Sequence, residues 1–193
     1  MNIFLVHGFW DTGNVFRRLQ RELTAAGHVC FAPTLHPRDG RHGLDDLARK
    51  LAAQIDAELK PDEPLAIVGF SMGCLVSRFY IQHLRGDRSI KAFFAISGPM
   101  RGTAMAYFYL SKGARDMRFG SQFLRGLDAS ANRLDGLALH TYFTPYDLMI
   151  IPSTSSRLQG AMEVKVNAWL HPLMLTNHQL ANDIVSKLRL LKS

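Results

Sequence analysis

Short apolar runs bounded by turn residues recur along this chain, at residues 3–6, 29–32, 65–70, 92–96, 139–143 and 164–166. They are nearly continuous rather than alternating. A strand with one wet face alternates apolar and polar side chains, whereas a strand covered on both faces does not. The runs therefore predict a mostly parallel sheet of about six strands sandwiched between helices. Helical spacing supplies those helices. Residues 14–26 end at Gly27, residues 44–59 carry Leu44, Leu47, Leu51 and Ile55 on one face and stop before Pro61, and residues 72–84 and 179–191 follow the same pattern. Strand–helix alternation of this kind implies right-handed crossovers in a doubly wound α/β fold.

The length, 193 residues, suits one domain with a full core. Apolar residues make up 47% and charged residues 20%, ordinary globular usage. No apolar stretch reaches the roughly 18 residues of a membrane span. Met1 to Gly8 reads as the first strand rather than a secretory leader, which makes the cytoplasm the expected location. Cys30 and Cys74 read as buried free thiols, since nothing in the sequence demands the approach of about 7 Å that a disulfide requires. The net charge of +7 is concentrated between Arg85 and Arg125. That stretch reads first as a solvated charged face, with weak attraction to an anionic membrane surface as the alternative. It carries no RNA-binding signature or zinc-finger spacing, so nucleic acid is not an expected partner. No metal cluster, P-loop or dinucleotide fingerprint appears, and no cofactor or metal is expected.

The segment with the most chemistry is Gly69-Phe70-Ser71-Met72-Gly73. An apolar run leads into it and a helix-forming run leads out, so it forms a sharp strand-to-helix turn that lifts a serine hydroxyl above the sheet. A side chain at either glycine would crowd such a turn. The bland alternative is a serine that merely caps a helix. With its context the segment resembles the nucleophile turn of the α/β-hydrolase superfamily, and the chain is most similar to the small lidless bacterial triacylglycerol lipases. Val6-His7-Gly8-Phe9 resembles the family's His-Gly oxyanion loop. Residues 97–103, ending in Gly102-Thr103, resemble the loop after the lipases' next strand. The resemblance implies a minimal α/β-hydrolase fold over residues 1–193, with residues 98–136 as a wall or cap over the site.

A serine hydroxyl needs a base, and the base needs an orienting acid. In the family these follow the serine in the order acid, then histidine. His83 falls in the helix after the turn and His140 inside a strand. His171 and His178 remain, and His171 occupies the loop position where the resemblance places the base; His178 sits near the last helix, where a surface or capping role suits it. Asp147 follows the strand at 139–143, whereas Asp128 and Asp135 precede that strand and Asp183 lies within the last helix as a solvated residue. Ser71, Asp147 and His171 are thus the candidate catalytic residues. The backbone N–H groups of Met72 and, by resemblance, Phe9 are the candidate oxyanion donors. His7 reads as a structural hydrogen-bonder. Where relatives carry further glycine, this chain has Phe9-Trp10-Asp11, which narrows or reshapes the acyl entrance. Trp10, Met100, Met105 and Phe108 are the candidate substrate contacts, suited to an apolar acyl group. The resulting expectation is a serine esterase or lipase acting on an acyl ester. A thioesterase or acyltransferase on the same residues, or a binding protein that kept the fold, are the alternatives.

Overall fold

The computed structural model describes residues 1–191. Its sheet comprises six strands: β1 (Asn2–Val6), β2 (Val29–Phe31), β3 (Leu65–Phe70), β4 (Ile90–Ile96), β5 (Ala138–Phe143) and β6 (Met162–Lys165). All adjacent pairs are parallel and the spatial order is β2-β1-β3-β4-β5-β6. The helices are α1 (Arg17–Ala25), α2 (Leu44–Glu58), α3 (Met72–Phe79), α4 (Lys112–Asp116), α5 (Gln122–Ala129) and α6 (His178–Leu190).

The period of two along each central strand divides the apolar residues between two cores. Phe4, Val6, Leu65, Ile67, Phe93 and Ala95 face α2 and α3. Ile3, Leu5, Ala66, Val68, Phe94 and Ile96 face the layer of α1 and α6. Continuous apolar runs are therefore what β1, β3 and β4 require. The edges differ from the sequence expectation. Val29 of β2 and Met162 of β6 are exposed, and Cys30 is half-buried rather than buried, because each edge strand has a neighbour on one side only. Both cysteines are free thiols. β6 also begins and ends earlier than the 164–166 run, and Val166 packs beyond the strand end.

Helix boundaries also shift locally. Residues 14–16 form a 3-10 turn capped by the Thr12 hydroxyl before α1 begins, and α3 loosens after Phe79 into a π-turn over Tyr80–Leu84. The chain runs from β1 outward to β2, then crosses back to β3 on the other side of β1. This reversal opens a crevice at the carboxyl ends of β1 and β3, where ligands collect in open α/β sheets. No helix among the described residues is long and apolar enough to cross a membrane. The basic stretch is not one free face. Arg88 is buried on the Lys60 carbonyl and Asp56, Lys112 pairs with Asp45 and Asp116, and Arg118 donates to the carbonyls of Ala106 and Tyr109.

Candidate active site

Ser71 sits in the crevice between β1 and β3, on the turn from β3 to α3. Its φ of 53° and ψ of −124° place a non-glycine residue in a strained conformation that only dense surroundings maintain. Gly69 and Gly73 are those surroundings. A Cβ on Gly73 would lie 2.0 Å from the Val6 carbonyl oxygen, and one on Gly69 would lie 2.7 Å from the Cys74 Cα. The helix therefore starts hard against β1, with no room for any side chain at either position. Ser71 does not cap α3 through its side chain, so its hydroxyl is not used to satisfy the helix. Cys74 is buried just behind it, and burial pushes its thiol pKa well up, leaving it inert as a nucleophile.

The loop after β1 approaches the serine from the other side. A Cβ on Gly8 would lie 3.1 Å from the Ser71 Cβ, so the following residue, Phe9, is brought close to Ser71. The loop is pinned by His7, whose Nε2 accepts from Leu35 N–H at 2.8 Å while Nδ1 donates to the Gly8 carbonyl at 2.9 Å. Burial lowers the His7 pKa, consistent with a neutral ring that both accepts and donates. Among the described residues no acceptor takes up the Phe9 or Met72 N–H. Met72 is the first residue of α3, where amides point outward and the helix dipole favours negative charge.

Asp147 and His171 meet across two loops. His171 Nδ1–H donates to the Asp147 carboxylate at 2.8 and 3.0 Å, with both residues buried. Burial disfavours the Asp147 charge, but the hydrogen bond and charge of His171 and the amides of Ile150 and Met149 outweigh it. The carboxyl is held below its usual range. The bond to Asp147 fixes the tautomer and leaves Nε2 with its lone pair. The ring rests on Phe70 at 4.7 Å, next to the serine in sequence. Ser71 and His171 line the same open cavity of about 420 Å³. A serine hydroxyl that shares a cavity with a carboxylate-bonded imidazole, next to two amides without acceptors, has the groups that nucleophilic acyl transfer uses.

The two loops are sewn together by hydroxyls that no motif announced. Thr144 donates to the Ala168 carbonyl, joining the acid's loop to the histidine's. Thr103 donates to the Met149 carbonyl at 2.8 Å and accepts from Ile151 N–H at 3.0 Å, fixing the turn that feeds amides to Asp147. The only sequence hint at Thr103 was its place in the Gly-Thr ending of the loop after β4.

The other candidates separate cleanly. Trp10 and Met105 line cavities that open at Ser71. Met100 does not: it is buried in the core on the α3 side and borders a different cavity, beside Arg78 and Leu158. Phe108 is 78% exposed and lines neither cavity at Ser71, because the 3-10 turn over Ala104–Phe108 buries Ala106 and turns its end outward. Of the 98–136 stretch, Pro99, Thr103, Met105, Ala106, Tyr109 and Met117 reach the site, while α5 and the turn after it lie toward α3 and the π-turn that follows it. His178 is exposed and contacts Arg18 and Glu22 of α1, and it does not line Ser71's cavity. His140 is stacked on Phe94 within the sheet, and burial drives its pKa down to about 4. Asp128 is committed to the buried Arg78. Asp183 is not simply solvated: it accepts from the Tyr142 hydroxyl at 2.8 Å and pairs with Lys187.

Comparisons with known proteins agree with this architecture. The model of the alpha/beta hydrolase family matches residues 3–186, and the chain belongs to that family. Among solved structures it is similar to a pyrethroid hydrolase from Sphingobium faniae, with 15% identity, 96% of each chain covered and a TM-score of 0.69. The mature lipase of Bacillus licheniformis superposes with a TM-score of 0.73 at 16% identity, over 97% of this chain and 91% of that one. Tomato methylketone synthase I, complexed with 2-tridecanone, gives 0.71 at 13% identity over 97% of both chains. A search of the curated proteins finds no match. At such identities the likeness is one of fold.

Proposed function

We propose that this member of the alpha/beta hydrolase family is a serine hydrolase of carboxylic (acyl) esters, with Ser71 as nucleophile, His171 as base and Asp147 as orienter. The observation that carries the reading is the buried Asp147–His171 hydrogen bond at the cavity of the strained, uncommitted Ser71. Similarity in fold to a lipase and a pyrethroid hydrolase is compatible with it.

In this mechanism Ser71 Oγ attacks the ester carbonyl carbon as its proton passes to His171 Nε2. The new C–O bond turns the carbonyl oxygen into an oxyanion, which accepts from the Met72 and Phe9 amides. As the tetrahedral intermediate collapses, the bond to the alcohol breaks and His171 returns its proton to the departing oxygen. Water, deprotonated by His171, then attacks the acyl-serine, and collapse of the second intermediate frees the acid and restores the Ser71 hydroxyl. Asp147 keeps Nδ1 protonated throughout and stabilises the imidazolium. Each amide donor contributes on the order of 3 kcal/mol to lowering the barrier in enzymes of this type.

The deciding experiment is labelling with a fluorophosphonate probe. Labelling is expected in the native chain and lost in Ser71→Ala, and a folded native protein that does not label defeats the proposal.

A further inference from the structure

Two cavities of very different size open at Ser71. The larger, of about 420 Å³, carries His171 on its wall together with Trp10, Val15 and Leu175. The smaller, of about 40 Å³, is lined by Pro99, Thr103, Met105, Ala106, Met117 and Ile150 and does not include His171. Phe9, Tyr109 and Met149 border both. The Phe9 and Tyr109 rings lie 5.2 Å apart, and Trp10 meets Tyr109 edge-on at 5.3 Å, so an aromatic cluster narrows the passage between them.

The chemistry of the leaving step decides which part of an ester goes where. If Ser71 and His171 act as proposed above, the alcohol oxygen must leave within reach of the histidine that protonates it. Only the large cavity has that histidine on its wall, so the alcohol occupies it and the acyl chain is left with the small one. We propose that the substrates are esters of short-chain acids with bulky, apolar alcohols. The small cavity has room for a few carbons bounded by methionine side chains. The large one offers about ten times the volume, lined mostly by apolar side chains with Asp11 and Thr176 among them. The sequence pointed to an apolar acyl group without a length; of its candidate contacts, Met105 bounds the small cavity and Trp10 lines the large one. The inference rests on the serine-ester reading and adds the direction in which an ester lies.

Octyl acetate and ethyl octanoate are isomers with primary alkyl leaving groups, and differ in which side of the ester bond carries the long chain. Below their micellar and solubility limits, kcat/KM for octyl acetate is expected to exceed that for ethyl octanoate by at least about tenfold, the discrimination a small apolar pocket provides. Met105→Ala, which removes bulk from the lining of the small cavity, is expected to shift that ratio toward ethyl octanoate by about fivefold or more. Equal rates, a preference for ethyl octanoate, or no turnover of either ester by protein that labels with fluorophosphonate would overturn this assignment and leave the serine-ester reading standing. Folded protein that neither labels nor turns over either ester overturns both.

Discussion

The two halves of the candidate site are held by different forces. At the nucleophile turn, backbone meets backbone: Gly73 leaves no space before the Val6 carbonyl, Gly69 none before Cys74, and Gly8 little before Ser71 itself. In the acid–base half, loops of irregular backbone are joined by side-chain hydrogen bonds, through Thr144, Thr103 and the Asp147–His171 pair. Packing repulsion rises steeply over tenths of an ångström, whereas a single hydrogen bond contributes about 1 kcal/mol net. The nucleophile half should therefore tolerate no added atom, and the acid–base half should fail by degrees.

The sharpest way to break the comparison is Gly73→Ala. A Cβ 2.0 Å from a strand carbonyl cannot be relieved by a rotamer change, so β1 and α3 must separate. A loss of at least about 3 kcal/mol in denaturant unfolding is expected, with activity lost as well. A native-like midpoint would mean that close backbone packing does not govern this half. Asp147→Asn tests the other half with the opposite signature. The amide can still meet the ring but favours the wrong tautomer, and kcat is expected to fall roughly 10³–10⁴-fold in folded protein. A loss below tenfold would remove Asp147 from the mechanism.

Thr103→Val should give an intermediate result. The hydroxyl's bonds to Met149 and Ile151 disappear within a largely buried turn, at a cost of about 1–3 kcal/mol by thermal or chemical denaturation. Activity should fall several-fold as the Asp147 turn loosens; unchanged activity would show that the turn holds without the hydroxyl. Smaller still is the effect of Ser71→Gly. Glycine accepts a φ of 53° readily, so this variant is expected to gain about 1 kcal/mol over Ser71→Ala while both remain inactive. Equal stabilities would mean that the turn stores little strain.

The pH dependence separates the halves most gently. The Asp147 carboxyl is more acidic in the folded chain than in the unfolded one, so above about pH 4 its stabilisation is fully present. As pH falls through the lower, folded pKa, the native state takes up a proton and that contribution disappears. Stability measured between pH 5 and pH 2 should therefore fall less steeply in Asp147→Asn than in the native chain, whereas the glycine-packed turn contributes no such slope. Equal slopes would show that the pair is not electrostatically linked to folding.

What the sequence revealed follows the same division. The turn at Ser71 was legible because its requirements are local: a β3 run, two glycines four residues apart and a helix start fall within one short stretch. The central strands were legible because burial on both faces removes alternation. Asp147 and His171 could be nominated from their order and loop positions, but nothing along the chain states that they meet. Met100 and Phe108 looked equivalent to Met105 as apolar contacts, yet one turned into the core and one into water. Phe108 is set by the 3-10 turn over Ala104–Phe108 and Met100 by the loop after β4, and a one-dimensional pattern reports the phase of neither.

By itself, then, the sequence determined the parallel sheet, the sharp turn at Ser71 and the kind of chemistry a serine there could support, because each depends on residues near one another in the chain. Only the tertiary structure decided that His171 bonds to Asp147, that Thr103 and Thr144 tie their loops, and that a narrow and a wide cavity meet at Ser71. Those features arise where loops from different strands converge at the carboxyl edge of the sheet, and convergence in space leaves no periodic trace in the order of residues.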